Sequence, residues 1–365
     1  MAEPLRETSP RKEPAKPRRA PSRRRPEPKP IDWEKITDEE LLAKRICDLP
    51  LKLEGTEIEE RINVVYGDLE AKGIKFFPKV YLGDEWFSPE GDPVISIPFY
   101  LAHARLIRLE RNRVLDAEGA TRSSFLRLLR HEMGHALDHA FKIYKFKGYE
   151  RVFGSSAKPY PKNFRPRPYS KRYVTYLEDC YAQIHPDEDF AETFAVWLTP
   201  GSDWQKRYAG WPALKKLEWV ERMMQEKICG KPPVRRSGQM WRRLSTIRMT
   251  IDHYHKIKHR DLKEDFPDFF DRDLHAIFGD EKGPTGERAS KFLRRNRRVL
   301  VNSISKWTEE KKFTVHNLVT RFAERGEALQ LWVTLPEPVT LTQTTACLTA
   351  MAKNYFLTGK FKRPK

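Results

Sequence analysis

The sequence predicts an α+β fold, with a small sheet and several helices followed by a mainly helical C-terminal region. Three observations carry this expectation. Lys79–Leu82 and Val94–Ile97 are short β-rich runs, the first followed by Gly83-Asp84 and the second preceded by Gly91-Asp92-Pro93. Thr121 to Tyr144 contains no proline and opens with Thr121 and Ser124, either of which can cap a helix. From Met240 onward, Trp241, Leu244, Ile247, Ile251, Tyr254 and Ile257 recur at helical spacing.

The other elements follow in chain order. Thr37 and Glu40 form a capping box around Asp38-Glu39, which starts a helix. A helix is expected over about Tyr100–Arg111, and a Pro/Lys/Arg/Tyr-rich loop over Gly154–Tyr169. Tyr173–Ile184 is expected to be helical. A further helix opens at Pro186, a residue suited to a first helical turn, and stops before Pro200-Gly201. Lys231-Pro232-Pro233 marks a boundary, Gly279–Gly286 a second break, and Ala289 onward two or three helices around a Leu335–Pro338 loop. The expected organisation is therefore a tail over 1–30, a first domain over 31–230 and a helical basic region over 231–365.

Composition narrows the function classes. The 365 residues are 39% hydrophobic and 12% aromatic, enough for a packed core. The mean hydropathy is −0.71, and no apolar run approaches the roughly 20 residues of a membrane span, so no membrane association is expected. Met1–Pro30 holds ten Lys/Arg, four Glu and eight Pro, with no aromatic residue and no apolar stretch resembling a secretory signal. Such a tail cannot bury enough surface to offset its ordering entropy. Cys47, Cys180, Cys229 and Cys347 lie far apart and make no CxxC pair, which fits a reducing, cytoplasmic setting. The net charge of +18 makes nucleic acid or another polyanion a candidate partner.

The chemistry concentrates at His131-Glu132-Met133-Gly134-His135. Histidines four apart share one helix face, so both imidazoles reach one ion. Zn2+ suits two neutral imidazoles plus a carboxylate, with one position left for water, and Glu132 is placed to take that water's proton. The longer motif that adds a third His six residues on has Phe141 there instead. His139 continues the spacing, but three ligands on successive turns of one straight helix span about 12 Å, too far for one ion.

The remaining ligand is therefore sought downstream, in His185–Ala195. Glu188 and Glu192 lie four apart on a stripe with Ala191 and Ala195, beside an apolar stripe of Phe190, Phe194, Trp197 and Leu198. Small residues allow close approach of another helix, and Gly134 offers the matching gap. Carboxylates in such a seam require a metal or hydrogen bonds. Glu188 is the expected ligand, and Glu192 is expected to orient a ligand histidine. Asp187 and Asp189 are the fallback ligands. Tyr181, seven residues before Glu188, either donates to a developing oxyanion or packs in the core. His185 is either a similar donor or, the favoured reading, an N-cap-region residue.

At these residues the chain resembles the putative zinc-binding metallopeptidase family of bacteria. The similarity rests on Leu129–His135, Glu150–Gly154 and Tyr181–Ala195, within about Asp92–Pro200. It also resembles the wider thermolysin-type zincins, in which a Glu on a following helix completes the site. The resemblance implies a zincin-like metallopeptidase domain and peptide hydrolysis. It implies metal ligation by His131, His135 and Glu188, with Glu132 as general base. By its spacing, Tyr181 resembles an oxyanion-stabilising tyrosine of lethal-factor-like relatives. Val94–Pro98 would then be the edge strand that pairs with an extended peptide substrate.

Two rival readings stand beside it: a nucleic-acid-binding protein in which this module is secondary or acts on nucleic-acid-bound proteins, and a non-catalytic scaffold. Arg294-Arg295-Asn296-Arg297-Arg298 serves the first as a phosphate-binding patch, its default reading being a solvated helix face. Glu132 argues against the second, since a purely structural site needs no general base. His255 and His259 are expected on a surface helix face.

Overall fold

A computed structural model of the chain describes residues 30–161, 164, 166–177, 180–261, 271–308 and 310–358. Apart from Pro30, the expected basic tail lies outside the described residues. The fold is α+β, mostly helical with one two-stranded parallel sheet. The first part of the chain holds α1 (Asp38–Leu42), α2 (Glu57–Ala71), β1 (Lys79–Gly83), β2 (Val94–Pro98), α3 (Ala104–Val114), α4 (Arg122–Phe141) and α5 (Tyr149–Val152). It continues through α6 (Pro186–Leu198), α7 (Trp204–Arg207), α8 (Leu214–Met223) and α9 (Ile251–Asp261). The last part is α10 (Asp271–Ile277), α11 (Ala289–Thr308), α12 (Lys312–Ala328) and α13 (Glu337–Thr358). Among the described residues no helix is long and apolar enough to cross a membrane.

Local chemistry accounts for the elements nearest the site. The Thr37–Glu40 capping box starts α1, and Thr56 caps α2, which turns Ile58, Ile62, Val65 and Leu69 inward. Thr121 Oγ1 accepts the Ser124 N–H at 3.1 Å and starts α4, whose 20 residues end at Lys142 in the left-handed region. His185 Nδ1 accepts the Asp187 N–H at 3.2 Å, and Pro186 opens α6. This is the favoured N-cap-region placement of His185.

Helices α4 and α6 form the buried centre. From Glu188 to Leu198 every residue of α6 is buried. Their approach is set by Gly134: a Cβ added there would lie 2.8 Å from Ala191 Cα and 3.2 Å from its Cβ. Gly134→Ala is therefore expected to push the helices apart and destabilise the fold by about 1–3 kcal/mol. A lowered thermal midpoint checks it, and an unchanged midpoint would show the seam to be slack.

Several expectations are corrected. The 173–184 helix does not form. Among its described residues only Tyr181–Gln183 make a short 3-10 turn, after Cys180 in the left-handed region. Side chains capture this backbone instead: the Thr175 N–H goes to the Tyr208 hydroxyl at 3.1 Å and the Leu177 N–H to Glu192 Oε2 at 2.8 Å. The residue before a proline is also disfavoured in the helical region, and His185 is extended. The Tyr100–Arg111 helix starts later, at Ala104, because the His103 ring caps it.

Strand β2 does not offer a free edge. It pairs with β1 in parallel, Tyr81 opposite Ser96, and its five residues are buried. On the other side, Ser96 exchanges both backbone hydrogen bonds with Phe87, at 2.8 and 3.2 Å. The β1–β2 connection thus covers the edge on which a peptide was expected.

The change of character expected at Lys231 falls later in space. Ile247, Ile251 and Tyr254 belong to the first core, and the helix over this stretch begins only at Ile251. The preceding backbone is tied to the start of the chain, with Ile46 N–H bonded to Met249 O at 3.0 Å and Cys47 N–H to Ile247 O at 2.9 Å. A second core begins at Leu274 and is built from α10–α13, including Phe292, Leu300, Val315, Phe322 and Leu348. His255 is not on a surface face: it is buried, with its Nε2 2.8 Å from Glu110 Oε2, beside Lys258 at 2.6 Å from Glu110 Oε1. In the Arg294–Arg298 cluster, Asn296 is buried, Arg294 pairs with Glu327, and Arg295 with Glu287 and Glu337.

Candidate metal centre

The α4 period places His131 and His135 one turn apart, and the Gly134–Ala191 contact brings α6 against that turn. The two Nε2 atoms are 3.1 Å apart. Glu188 Oε2 lies 3.1 Å from each of them. In a tetrahedral site with bonds of about 2.0–2.1 Å, ligand atoms lie about 3.3 Å apart, so these three donors have the spacing of ligands to one ion. Among the described residues, they are the group of His, Cys, Asp and Glu side chains able to hold a metal together.

The supporting contacts prepare them for that task. Glu192 Oε1 is 2.8 Å from His131 Nδ1, which therefore carries the proton and leaves Nε2 to face the cluster. Glu192 is fully buried, and the Leu177 N–H holds its other oxygen at 2.8 Å. This is why the 177 region stays out of a helix: its N–H serves the carboxylate behind a histidine. Tyr160, in the loop before α6, donates to Glu188 Oε1 at 2.8 Å and stacks on His185 at 4.0 Å between ring centroids. Both oxygens of Glu188 are thus engaged, one by the histidines and one by a phenol.

Electrostatics matches the donor set. Burial opposes protonation of His131, but hydrogen bonds to Glu188 and Glu192 outweigh it and raise the imidazole to about 10. Burial likewise opposes protonation of His135, and the Glu188 charge outweighs it. Burial pushes the Glu188 carboxyl up, yet the charges and hydrogen bonds of His135 and His131 hold it far below the ordinary range. Positive charge inside the cluster, from protons or from a cation, favours this arrangement. Glu132 is buried, and that burial raises its carboxyl despite both histidines.

Tyr181 reaches the cluster by a different route from the one expected. No continuous helix joins it to Glu188, but the 3-10 turn sets its ring 5.4 Å from the His131 ring. Its phenol is partly exposed and held neutral by burial together with the Glu188 and Glu132 charges. The fallback ligands are occupied elsewhere: Asp189 pairs with Lys216, and Asp187 lies against His185 and the Tyr149 hydroxyl. His139 is outside the ligand group. Tyr160 had no sequence signal beyond being an aromatic in a basic, proline-rich loop, because only the folded loop brings it to Glu188.

Asp138 supports the end of α4. It is buried, and its Oδ1 accepts the Tyr144 N–H at 2.8 Å. Burial pushes its carboxyl up to about 7, against the N–H groups of Tyr144 and Ile143. In the unfolded chain it titrates near about 4. Between those values the folded protein keeps a proton that the unfolded chain has lost. Its contribution to stability therefore falls as pH rises from about 4 to 7, at up to about 1.4 kcal/mol per pH unit, and is flat above. Asp138→Asn lacks this slope. Urea denaturation across that window is expected to show the variant gaining on the wild type as pH rises.

A buried and a half-buried imidazole and a buried carboxylate on facing helices, with a further glutamate beside them, form a group that could hold a metal ion. Residues 101–208 match the model of a family described as putative zinc-binding metallo-peptidase. That span contains α4, α6 and every residue of the cluster. No curated protein and no solved structure matches the chain.

Proposed function

We propose that this protein is a zinc-dependent metallopeptidase of zincin-like architecture, hydrolysing peptide bonds at the α4–α6 seam. One observation carries the reading: three ligand-type atoms lie 3.1 Å from one another, next to a buried Glu that is not among them. His131, His135 and Glu188 would hold Zn2+. When bound, the ion polarises a carbonyl and makes an adjacent water more acidic.

The chain's own groups supply the rest. Glu132 is outside the ligand group, so its carboxylate is free to accept a proton and return it to the departing amine. Burial raises its carboxyl, which strengthens it as a base. Glu192 keeps the His131 ring in one tautomer and orientation. The neutral, partly exposed Tyr181 phenol, its ring 5.4 Å from that of His131, supports a role as donor to a developing oxyanion. With the outer edge of β2 occupied by Phe87, a peptide substrate must be held by groups other than that strand.

Metal content of the purified protein, followed by cleavage of a peptide library, tests the reading. About one zinc per chain with chelator-sensitive cleavage supports it; absence of zinc after reconstitution overturns it. Tyr160→Phe removes only the phenolic donor to Glu188 Oε1. It is expected to weaken zinc about 10-fold or more, read by competition with a chromophoric chelator.

A further inference from the structure

A cavity of about 480 Å3 lies between the first half of α4, the 175–176 segment, the end of α6 and α7. Arg127, Arg130 and Arg207 line it, together with the hydroxyl-bearing Ser123, Thr175, Tyr176 and Thr199. Leu126 is its one aliphatic residue, and no acidic residue is among those lining it. The charge of Arg130 is answered from outside by Asp68, at 2.9 Å from Nε and 2.8 Å from the terminal nitrogen. Arg207 donates to Thr175, to its carbonyl at 3.0 Å and its hydroxyl at 3.2 Å. Arg127 lies over the Tyr176 ring, 5.6 Å from its centroid. Among the described residues, neither Arg127 nor Arg207 has a carboxylate partner. Ser123 adds to this from the first turn of the 20-residue α4, where free N–H groups concentrate partial positive charge.

We propose that this cavity binds a small phosphate-bearing molecule. Its volume is in the range of small-ligand sites. Guanidinium forks match the oxygens of a phosphate, and the hydroxyls of Ser123, Thr175 and Tyr176 can donate to those the arginines leave open, while Thr199 donates to Ala195 O at 2.7 Å. The site is separate from the metal cluster but touches its supports. Arg130 precedes His131, and Tyr176 precedes Leu177, whose N–H holds Glu192. An occupant therefore ties together the backbone behind the histidines. This site does not rest on the metallopeptidase reading.

Isothermal titration of the full chain with inorganic phosphate and with a hexose monophosphate, at constant ionic strength, tests it. Arg127→Ala and Arg207→Ala remove two lining charges without breaking an ion pair among the described residues, and Arg297→Ala with Arg298→Ala on α11 controls for the overall basic charge. The expected result is saturable one-to-one binding, weakened at least about tenfold by each cavity variant and unchanged by the control pair. Tighter binding of the hexose monophosphate assigns the cavity to an organic phosphate; equal binding assigns it to the free ion. Absence of saturable binding by either probe, or equal weakening by the control pair, overturns the proposal.

Discussion

Glu132→Gln is expected to lower peptide hydrolysis by about 10²–10⁴-fold while leaving zinc content near one per chain. Gln keeps the volume of the side chain in its buried position but cannot take up a proton. Glu132 is not in the ligand group, so its loss leaves the three donors and the Glu192 contact in place. The variant thus separates catalysis from metal binding. Zinc analysis and steady-state hydrolysis of a cleaved peptide, measured side by side, decide the matter. Retained activity would remove Glu132 from the proton transfer, and simultaneous loss of zinc would give it a structural role instead.

Glu188→Ala is expected to abolish both zinc binding and hydrolysis. Its carboxylate meets both Nε2 atoms at 3.1 Å, while its acidic neighbours on α6 are engaged elsewhere, Asp189 by Lys216 and Asp187 by His185. Groups behind the ligands alone are worth about 10–100-fold in affinity, so removing a ligand is expected to exceed about 100-fold. The metal-free protein should lose stability as well, because two imidazoles 3.1 Å apart, one of them buried, then face each other without their shared carboxylate. Metal content, chelator competition and the thermal midpoint of the metal-free form read these effects. Zinc retained by Glu188→Ala but lost by Asp189→Ala would move the ligand one residue along α6.

Much of the site was legible because helix geometry translates spacing into position. The four-residue step from His131 to His135 makes about one turn, and the same step from Glu188 to Glu192 aligns two acids with Ala191 and Ala195. The small residues announced a close helix contact, and Gly134 meets Ala191 there. Legibility ended where the chain is organised by side chains rather than by backbone periodicity. The 173–184 stretch has helix-compatible residues, yet Glu192 and the Tyr208 hydroxyl take its N–H groups. His255 sits among cationic neighbours that suggested solvent, but a buried Glu110 from α3, distant in sequence, compensates it. Tyr160 and the covering of β2 by Phe87 likewise depend on loop paths that no local pattern encodes.

The sequence by itself determined the α+β class, the capped helix bearing His131, Glu132 and His135, and the acidic–small stripe of the helix that follows. These are local properties, set by caps, proline positions and the 3.6-residue period. Only the tertiary structure decided that Glu188 rather than Asp187 or Asp189 meets both histidines, that Glu192 stands behind His131, and that three arginines line one cavity. Those relations join residues tens of positions apart. They are set by how closely α4 and α6 pack and by which polar groups must find partners once water is excluded, and neither has a period that can be read along the chain.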